Sequence, residues 1–322
     1  MYLRIMKNIL ITGGAGFIGS HVSNHFHAKY PNYNIIVLDA LTYAANKTYL
    51  NKDIKLLIGD ICDLPTLENT FKTHNITDVV HLAAESHVDN SIKNPSDFIQ
   101  TNIIGTHNLL ILAKRYFTES SIFYHVSTDE VYGHLSLNDE PFKETTPYDP
   151  RSPYSASKAS SDHLVRSYNS TYNLRTLISN CSNNYGPHQH IEKFIPTIIN
   201  SILNKKQIPI YGDGKNIRDW LWVKDHVSAI DVIFHNGKIG ETYNIGGVNE
   251  LTNIDIVNNI CELLGEGKDL ITFVEDRKGH DFRYAIDITK IKTELGWSPE
   301  KIFNDGLIET INFYKEKFYE NG

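Results

Sequence analysis

The chain has 322 residues, which is too many for one minimal domain and enough for two lobes that share an interface. Its formal net charge of −7 provides no overall basic field for nucleic acid or an anionic membrane, so an acidic ligand must be bound by locally placed cations and backbone N–H groups. The three cysteines form neither a disulfide framework nor a C-x-x-C pair, and no apolar run approaches the roughly 18 residues of a membrane-spanning helix. We therefore expect a cytoplasmic protein with reduced thiols and no nucleic-acid or membrane partner.

Short apolar runs alternate with helical segments in the first half of the chain. The runs are rich in Val, Ile and Leu without polar alternation, as expected for parallel strands covered on both faces. Strands are predicted at Asn8–Gly13, Ile35–Asp39, Lys55–Asp60, Asp78–Ala84, Ile122–Thr128 and Arg175–Asn180. Helices are predicted at Phe17–Tyr30, Pro65–His74, Pro95–Phe117 and Tyr154–Tyr172. This βαβ order predicts an α/β protein with a doubly wound parallel sheet of the Rossmann type.

The regular alternation ends after about Cys181, where longer loops and mixed elements begin. Helices are predicted at Ile195–Lys205, Val223–His235, Asn253–Leu264 and Phe303–Phe318. We expect residues 1–182 to form the cofactor-binding domain and residues 183–322 to form mainly a smaller, mixed α/β substrate lobe. Some later segments are expected to return to the first domain. The second lobe should lie over the carboxyl ends of the strands, where ligands bind in such sheets.

A glycine-rich segment follows the first strand directly. Gly13, Gly16 and Gly19 permit a tight turn and let a pyrophosphate approach bare N–H groups at a helix N-terminus. Asp39 stands twenty residues after Gly19, at the end of the second strand, where an acid accepts hydrogen bonds from ribose hydroxyls and repels a 2′-phosphate. The pattern favours NAD over NADP, and the alternative is a strand-ending Asp in a nucleotide-free turn. Further cofactor contacts are expected from Asp60, Ile61, Ala83 and Ala84, which end the third and fourth strands.

Tyr154 and Lys158 open a predicted helix, and their spacing of four places both on one helical face. A neighbouring ammonium stabilises a phenolate and lowers its pKa, so Tyr154 is a candidate base for an alcohol proton. The spacing alone is common on solvated helices, and it gains weight here because a dinucleotide-binding pattern precedes it.

The chain resembles the extended short-chain dehydrogenase/reductase family in the glycine motif, Asp60, Ala83–Ala84, Asn102 and Tyr154/Lys158. Residues 127–133, STDEVYG, follow the fifth strand and resemble the corresponding segment of the dTDP-glucose 4,6-dehydratases. That resemblance implies NAD as cofactor, a nucleotide-linked glucose as substrate and a 4-keto-6-deoxyglucose product, a precursor of rhamnose and other deoxysugars. It adds to the cofactor-binding set Phe17, Ile18, Thr42, Ser86, Asn102, Tyr154, Lys158 and Asn184.

The two adjacent acids fit the chemistry that the resemblance implies. Oxidation at C4 acidifies the C5 hydrogen, which Glu130 removes as a general base, while a protonated Asp129 donates to the departing C6 hydroxyl. Two neighbouring carboxyls in a closed site do not both ionise easily. Thr128 would hydrogen-bond the C4 oxygen beside Tyr154. The alternative is an exposed acidic pair at the start of a loop, which is the usual place for carboxylates.

Further matches extend across nearly the whole chain and imply a second set of contacts to the sugar, diphosphate and base. These are Ser86, His87, Thr128, Asn183, Lys193, Phe194, Pro209, Tyr211, Arg218, Asn253, Arg277 and His280. Two positions depart from the family, which usually has leucine at Phe194 and proline at Lys278. The departures leave the nucleotide open between dTDP and UDP. By resemblance we also expect a homodimer that pairs the helices Pro95–Phe117 and Tyr154–Tyr172.

Two other functions are compatible with a dinucleotide-binding fold. A nucleotide-sugar 4-epimerase would use the same cofactor with Tyr154 and Lys158 but would not need the two acids, and a non-catalytic NAD-binding sensor would not need Tyr154. A metal site at His21 and His25, which share a helical face, lacks a third ligand in the sequence, and no metal is expected. His188 and His190 are expected to be substrate-adjacent or solvated.

Overall fold

The computed structural model describes residues 6–276 and 280–320. Its strands are β1 (Lys7–Thr12), β2 (Tyr33–Asp39), β3 (Lys55–Ile58), β4 (Asp78–His81), β5 (Phe123–Thr128), β6 (Thr176–Cys181), β7 (Asn183–Tyr185), β8 (Ile208–Tyr211), β9 (Ile217–Trp222), β10 (Thr242–Ile245), β11 (Glu250–Thr252) and β12 (Ile271–Val274). The α-helices are α1 (Phe17–Lys29), α2 (Leu64–His74), α3 (Val88–Lys93), α4 (Pro95–Phe98), α5 (Thr106–Tyr116), α6 (Pro153–Tyr172), α7 (Phe194–Leu203), α8 (Val223–Asn236), α9 (Asn253–Leu264), α10 (Thr289–Leu295) and α11 (Phe303–Glu320).

Seven strands form the central sheet in the order β10-β6-β5-β4-β1-β2-β3, and all of them pair in parallel. The strands are buried on both faces, because successive side chains point to opposite sides of the sheet and each side is covered by an apolar core. Ile9 and Ile11 of β1 pack with Val22 of α1, whereas Leu10 packs on the other face with Leu109 of α5. The predicted doubly wound parallel sheet is confirmed.

The predicted helix Pro95–Phe117 is present as a helical region, but its middle segment, residues 99–105, is π-helical. The side-chain amide of Asn102 accepts from Glu85 N at 2.9 Å and donates to Glu85 O at 3.0 Å and Ser157 Oγ at 2.8 Å. These bonds hold Asn102 toward the segment after β4. A π-helical turn of this kind is frequent at functional sites.

The later part of the chain forms two small sheets, β11-β9-β7 and β12-β8, around a separate apolar cluster. That cluster includes Ile195 of α7, Trp220 of β9, Ile256 of α9 and Leu307 of α11. Strand β10 follows β9 and α8 in the sequence, but it pairs with β6 and completes the central sheet. Among the described residues, no helix combines the length and apolarity needed to cross a membrane.

Candidate active site

A cleft of about 360 Å³ lies at the carboxyl ends of the central strands, between them and the later part of the chain. The strand order reverses between β1 and β4, and the segments that follow these two strands both line the cleft. Ligands bind at this switch point in doubly wound sheets, and the volume falls within the range of small-molecule sites.

The turn between β1 and α1 requires glycine at two positions. Gly13 has φ +68°, and a Cβ added to it would lie 2.7 Å from the backbone of Ala83. A Cβ on Gly19 would lie 2.1 Å from the carbonyl oxygen of Gly13. Gly16 is the N-cap of α1 and lines the cleft, and it has no side chain that could compete for the first N–H groups of the helix. This arrangement suits a pyrophosphate group.

Asp39 ends β2 and is held firmly at the edge of the cleft. Its Oδ2 accepts from Ala15 N at 2.9 Å and its Oδ1 accepts from Leu41 N at 2.8 Å. Each carboxylate oxygen keeps a further lone pair for a ribose hydroxyl. A 2′-phosphate at this position would meet a fixed negative charge, so the residues present fit NAD better than NADP.

Most of the predicted cofactor residues line one continuous surface. They are Gly13, Gly16, Phe17, Ile18, Gly19, Asp39, Thr42, Asp60, Ile61, Ala83, Ala84, Ser86, Tyr154, Lys158 and Asn184. Asn102 does not line the cleft and instead fixes Glu85, which does. Its contribution to the cofactor site is therefore indirect in this structure.

Local capping sets the position of Tyr154 and Lys158. Ser152 and Ser155 form a reciprocal capping box at the start of α6, which places Tyr154 in the first turn and Lys158 one turn later. The Lys158 ammonium is buried and donates to Val126 O at 2.9 Å. Burial lowers the pKa of Lys158 to about 8, although the Asp162 and Cys181 side chains oppose that shift.

The pKa of Tyr154 differs from the sequence-based expectation. Lys158 was expected to lower it, but burial, followed by the negative charge of Glu130, raises the pKa of Tyr154 well above its usual value. A hydrogen bond with Thr128 opposes this shift. Spacing on a helix revealed the proximity of Tyr154 and Lys158 but not the desolvation of the phenol.

Asp129 and Glu130 enter the cleft where β5 ends in a single 3₁₀ turn, residues 129–132. Thr128 Oγ1 accepts from Glu130 N at 3.3 Å and donates to Asp129 Oδ1 at 3.4 Å. Asp129 is only 2% exposed, so the alternative of an exposed acidic pair is wrong. Burial, the neighbouring Glu130 and then Asp219 raise the pKa of Asp129 well above its usual value, which favours a protonated acid.

Buried polar atoms in the cleft lining need a partner that the described residues do not supply. Ser127 Oγ, Asp129 Oδ2 and Asn183 Oδ1 are all buried, line the cleft and have no hydrogen-bond partner within residues 6–276 and 280–320. An unpaired buried polar atom costs about 1–3 kcal/mol. A polar ligand such as a sugar with its nicotinamide cofactor would remove that cost.

The predicted substrate residues divide into two groups. Ser86, Thr128, Asn183 and Lys193 line the cleft, and Lys193 Nζ donates to Ser86 O at 2.8 Å. Seven other predicted substrate residues are described by the structure but do not line the cleft: His87, Phe194, Pro209, Tyr211, Arg218, Asn253 and His280. They precede α3 or belong to the later part of the chain, and Arg277, like the departure at Lys278, lies outside the described residues.

Arg218 was expected to hold the diphosphate, and in this structure its guanidinium bonds the backbone. It donates to Ile217 O at 2.7 Å and to Asp281 O at 2.9 Å, and it lies 4.5 Å from the Tyr284 ring centroid. Phe194, the other departure from the family, stacks on Trp220 with ring centroids 6.2 Å apart.

Sequence reasoning missed several residues of the lining, among them Ser127, Cys181, Ser182 and Gln189. The first three lie at or just after the carboxyl ends of β5 and β6, and that position was a usable signal. Gln189 lies in the loop after β7 and carries no such signal. The two helix histidines considered for a metal have other partners, since His21 Nε2 lies 3.0 Å from Pro187 O and His25 Nε2 lies 2.7 Å from Asp231 Oδ2.

Comparisons with known proteins agree with this arrangement. The family described as GDP-mannose 4,6 dehydratase matches residues 10–310. A dTDP-glucose 4,6-dehydratase of Haemophilus influenzae is 48% identical over 332 residues, covering 96% of this chain and 98% of that protein. The structure of a dTDP-glucose 4,6-dehydratase from Streptomyces venezuelae with NAD bound is 42% identical, with a TM-score of 0.92 and 98% of each chain covered. A UDP-glucose 4-epimerase from Thermotoga maritima has a TM-score of 0.90 at 30% identity, covering 97% of this chain and 99% of that chain.

Proposed function

The chain belongs to the nucleotide-sugar 4,6-dehydratase family, and from that premise we propose that it is an NAD-dependent hydro-lyase that converts dTDP-glucose to the 4-keto-6-deoxyglucose nucleotide. The observation that carries the proposal is the buried Asp129 beside Glu130, in the same cleft as Tyr154 and Lys158. Oxidation at C4 alone needs only the last two residues, whereas loss of water needs an additional base and an additional acid.

Three residues of the cleft move protons in this reaction, and a fourth holds the C4 oxygen. Tyr154 must first be ionised, against the raised pKa that burial gives it. Its phenolate then takes the proton of the C4 hydroxyl, and Thr128 holds the C4 oxygen. Bound NAD would supply the redox chemistry, as the acceptor of the C4 hydride and its donor to C6. Glu130 removes the C5 proton of the 4-ketone, and Asp129 protonates the C6 hydroxyl, which leaves as water. The C5 position regains a proton from Glu130 when the hydride reaches C6. Tyr154 gains one proton and Asp129 gives one up, so the product differs from the substrate by one water and the protein keeps its number of protons.

The dTDP nucleotide is supported by the relatives rather than by a contact in the cleft. The Haemophilus and Streptomyces proteins are both dTDP-glucose 4,6-dehydratases, while the matching family is described by a GDP-mannose enzyme. These two relatives match nearly the whole chain at 42–48% identity, which supports dTDP as the nucleotide. Thymine and uracil differ by one methyl group, which a hydrophobic pocket discriminates by only about 1–3 kcal/mol.

The test is incubation of the pure protein with dTDP-glucose, UDP-glucose and GDP-mannose separately, with the products resolved by mass. Loss of one water from dTDP-glucose at the highest rate is expected. A faster loss from another nucleotide would overturn the dTDP assignment alone. Unchanged mass with conversion to the galactose isomer would mean a 4-epimerase, and unchanged substrate with intact NAD binding would mean a sensor.

We propose further that two chains form a homodimer through the helical region of residues 95–116 and α6. Ile99 and Ile104 in the first segment and Tyr172 in the second are large apolar side chains exposed in the single chain. Light scattering at micromolar concentration should give the mass of two chains, and the mass of one chain would remove this proposal. The division into residues 1–182 and 183–322, the cytoplasmic location and the place in rhamnose synthesis stay predictions.

A further inference from the structure

Four aromatic rings form a line from the start of α1 to the segment after β2. The Phe17 ring meets His21 edge-on with centroids 6.2 Å apart, and His21 stacks on His188 at 4.5 Å. His188 in turn stacks on Tyr49 at 3.9 Å with the ring planes only 3° apart. This aromatic stack, Phe17, His21, His188 and Tyr49, joins three segments that are far apart in the sequence.

His188 is held in an unusual conformation at the centre of the stack. Its φ is +73°, a region that residues with a side chain rarely adopt and that persists only where the surroundings impose it. Its Nδ1 lies 3.0 Å from Ser20 Oγ, and the preceding Pro187 O lies 3.0 Å from His21 Nε2. Burial, then the His21 and Lys317 charges, lowers the pKa of His188 to about 3, so the ring stacks as a neutral group at physiological pH.

The loop that His188 anchors, residues 186–193, forms one side of the cleft. Gln189, His190 and Lys193 of this loop line the cleft directly. The His190 ring meets the Tyr43 ring edge-on at 5.2 Å. Tyr43 lies between Thr42 and a second lining residue, Ala44, in the segment that follows β2. The two segments therefore contact each other beside the part of the cleft that Asp39 assigns to the cofactor ribose.

The proposed reaction requires this part of the cleft to retain the cofactor throughout a turnover. The hydride leaves C4 and returns at C6 of the same sugar, so the reduced cofactor must stay bound between the two transfers. Loss of the reduced cofactor would leave the sugar as an oxidised intermediate. We propose that His188 is a positioning residue that, through the aromatic stack, holds the 186–193 loop against the cofactor cleft and slows cofactor dissociation. The reason for retaining the cofactor rests on the proposed function, whereas the rate of cofactor dissociation can be measured without it.

The experiment compares His188→Ala with His188→Phe in the holoenzyme. Both variants place an L side chain at the same positive φ, so their difference isolates the ring. The NAD dissociation rate is measured by stopped flow after mixing with an excess of a fluorescent NAD analogue. We expect about tenfold faster dissociation for His188→Ala and a rate within about twofold of the parent for His188→Phe, since aromatic pairs contribute up to roughly that factor. His235→Ala is the matched control, because His235 also stacks on a tyrosine, Tyr33, but lies outside the cleft lining.

A second readout follows the cofactor during turnover. Lactate dehydrogenase with pyruvate captures any reduced cofactor that leaves the protein, and lactate formed per dehydrated sugar should rise in His188→Ala but not in His188→Phe. If His188→Ala does not fold, Tyr49→Leu removes the neighbouring ring and should give the same increase. Dissociation at the parental rate, or equal acceleration in the Ala and Phe variants, would overturn the proposal. The dissociation measurement needs no sugar, so failure of the parent to dehydrate dTDP-glucose would count only against the proposed function.

Discussion

The Thr128 hydroxyl donates a 3.4 Å hydrogen bond to Oδ1 of Asp129, while Oδ2 of the same carboxyl is buried without a partner among the described residues. The free oxygen is thus the one available to a substrate hydroxyl. Because burial and the nearby Glu130 raise the pKa of Asp129, this oxygen can carry the proton that the departing C6 hydroxyl needs.

Asp129→Asn should therefore stop dehydration while permitting oxidation at C4. The amide keeps the shape of the side chain but cannot act as a general acid, a role that contributes about 10²–10⁴ in rate. We expect the dehydration rate to fall by about that factor. Reduced nicotinamide should accumulate, and its absorbance measures this accumulation. Asp139→Asn, an exposed position outside the cleft, should keep the parental rate. A parental dehydration rate in Asp129→Asn would show that the acid is another group.

The pH dependence should carry the same signature. A protonated Asp129 is the active form, and its pKa is raised, so this contribution is present below the raised value and is lost as pH rises through it. The parent's dehydration rate should therefore fall as pH rises, measured under single-turnover conditions. If Asp129→Asn keeps the same fall in its residual dehydration, the fall belongs to another group, such as Lys158.

Glu130→Gln should separate proton removal at C5 from hydride removal at C4. Glutamine cannot accept the C5 proton, so solvent deuterium should not enter C5, although some reduced nicotinamide should still form. The measurement is the mass of recovered sugar nucleotide after incubation in deuterated water. Unchanged dehydration in Glu130→Gln would refute its role as the base.

The cofactor half of the site was readable in the sequence because its chemistry is local. Gly13 and Gly19 each have a backbone neighbour that leaves no space for a Cβ, and Asp39 stands at a strand end that periodicity identifies. The position of Asp129 was also accessible, since it directly follows a buried strand. Its burial required the structure, because the groups that enclose it come from distant segments.

The remaining features depend on contacts between residues far apart in the chain. His188 stacks on Tyr49 and His21, at separations that no local pattern encodes. The raised pKa of Tyr154 follows from enclosure by its surroundings, which outweighs the charge expected from Lys158. Strand β10 joins the central sheet by pairing Ile245 with Cys181 of β6, which is distant in the sequence, and no strand is predicted there from the sequence.

Asp39→Ala should weaken NAD binding and reduce discrimination against NADP. The substitution removes two acceptor oxygens and leaves Ala15 N without its 2.9 Å partner. A hydrogen bond to a charged group contributes about 1.5–3 kcal/mol, so we expect a loss in NAD affinity of about 10–100-fold. NADP should lose less, because the repulsive carboxylate is gone. Fluorescence titration gives both dissociation constants, with Asp53→Asn, exposed and outside the cleft lining, as control. An unchanged NADP/NAD ratio would contradict this account of Asp39.

Asp231→Asn should destabilise the fold, and the substituted residue does not line the cleft. Asp231 accepts from Lys29 Nζ at 2.6 Å, His25 Nε2 at 2.7 Å and Tyr30 OH at 2.7 Å, and so connects α8 to α1 and the residue that follows it. Burial alone would raise the pKa of Asp231, but these donors and His235 lower it well below its usual value. We expect a loss of about 2 kcal/mol in the free energy of unfolding at pH 7, measured by urea denaturation.

The pH dependence of that loss has a definite sign. A carboxylate whose folded pKa lies below its unfolded value stabilises the fold above the unfolded pKa of about 3.9, and the contribution disappears as pH falls through the folded value. The difference between parent and Asp231→Asn should therefore be constant from neutral pH down to about 5 and should shrink below about 4. Asp213→Asn removes an exposed carboxylate paired with Lys215, and its free energy of unfolding should match that of the parent at every pH. A difference at Asp231 that grows on acidification would mean that its partners, not the carboxylate, dominate the titration.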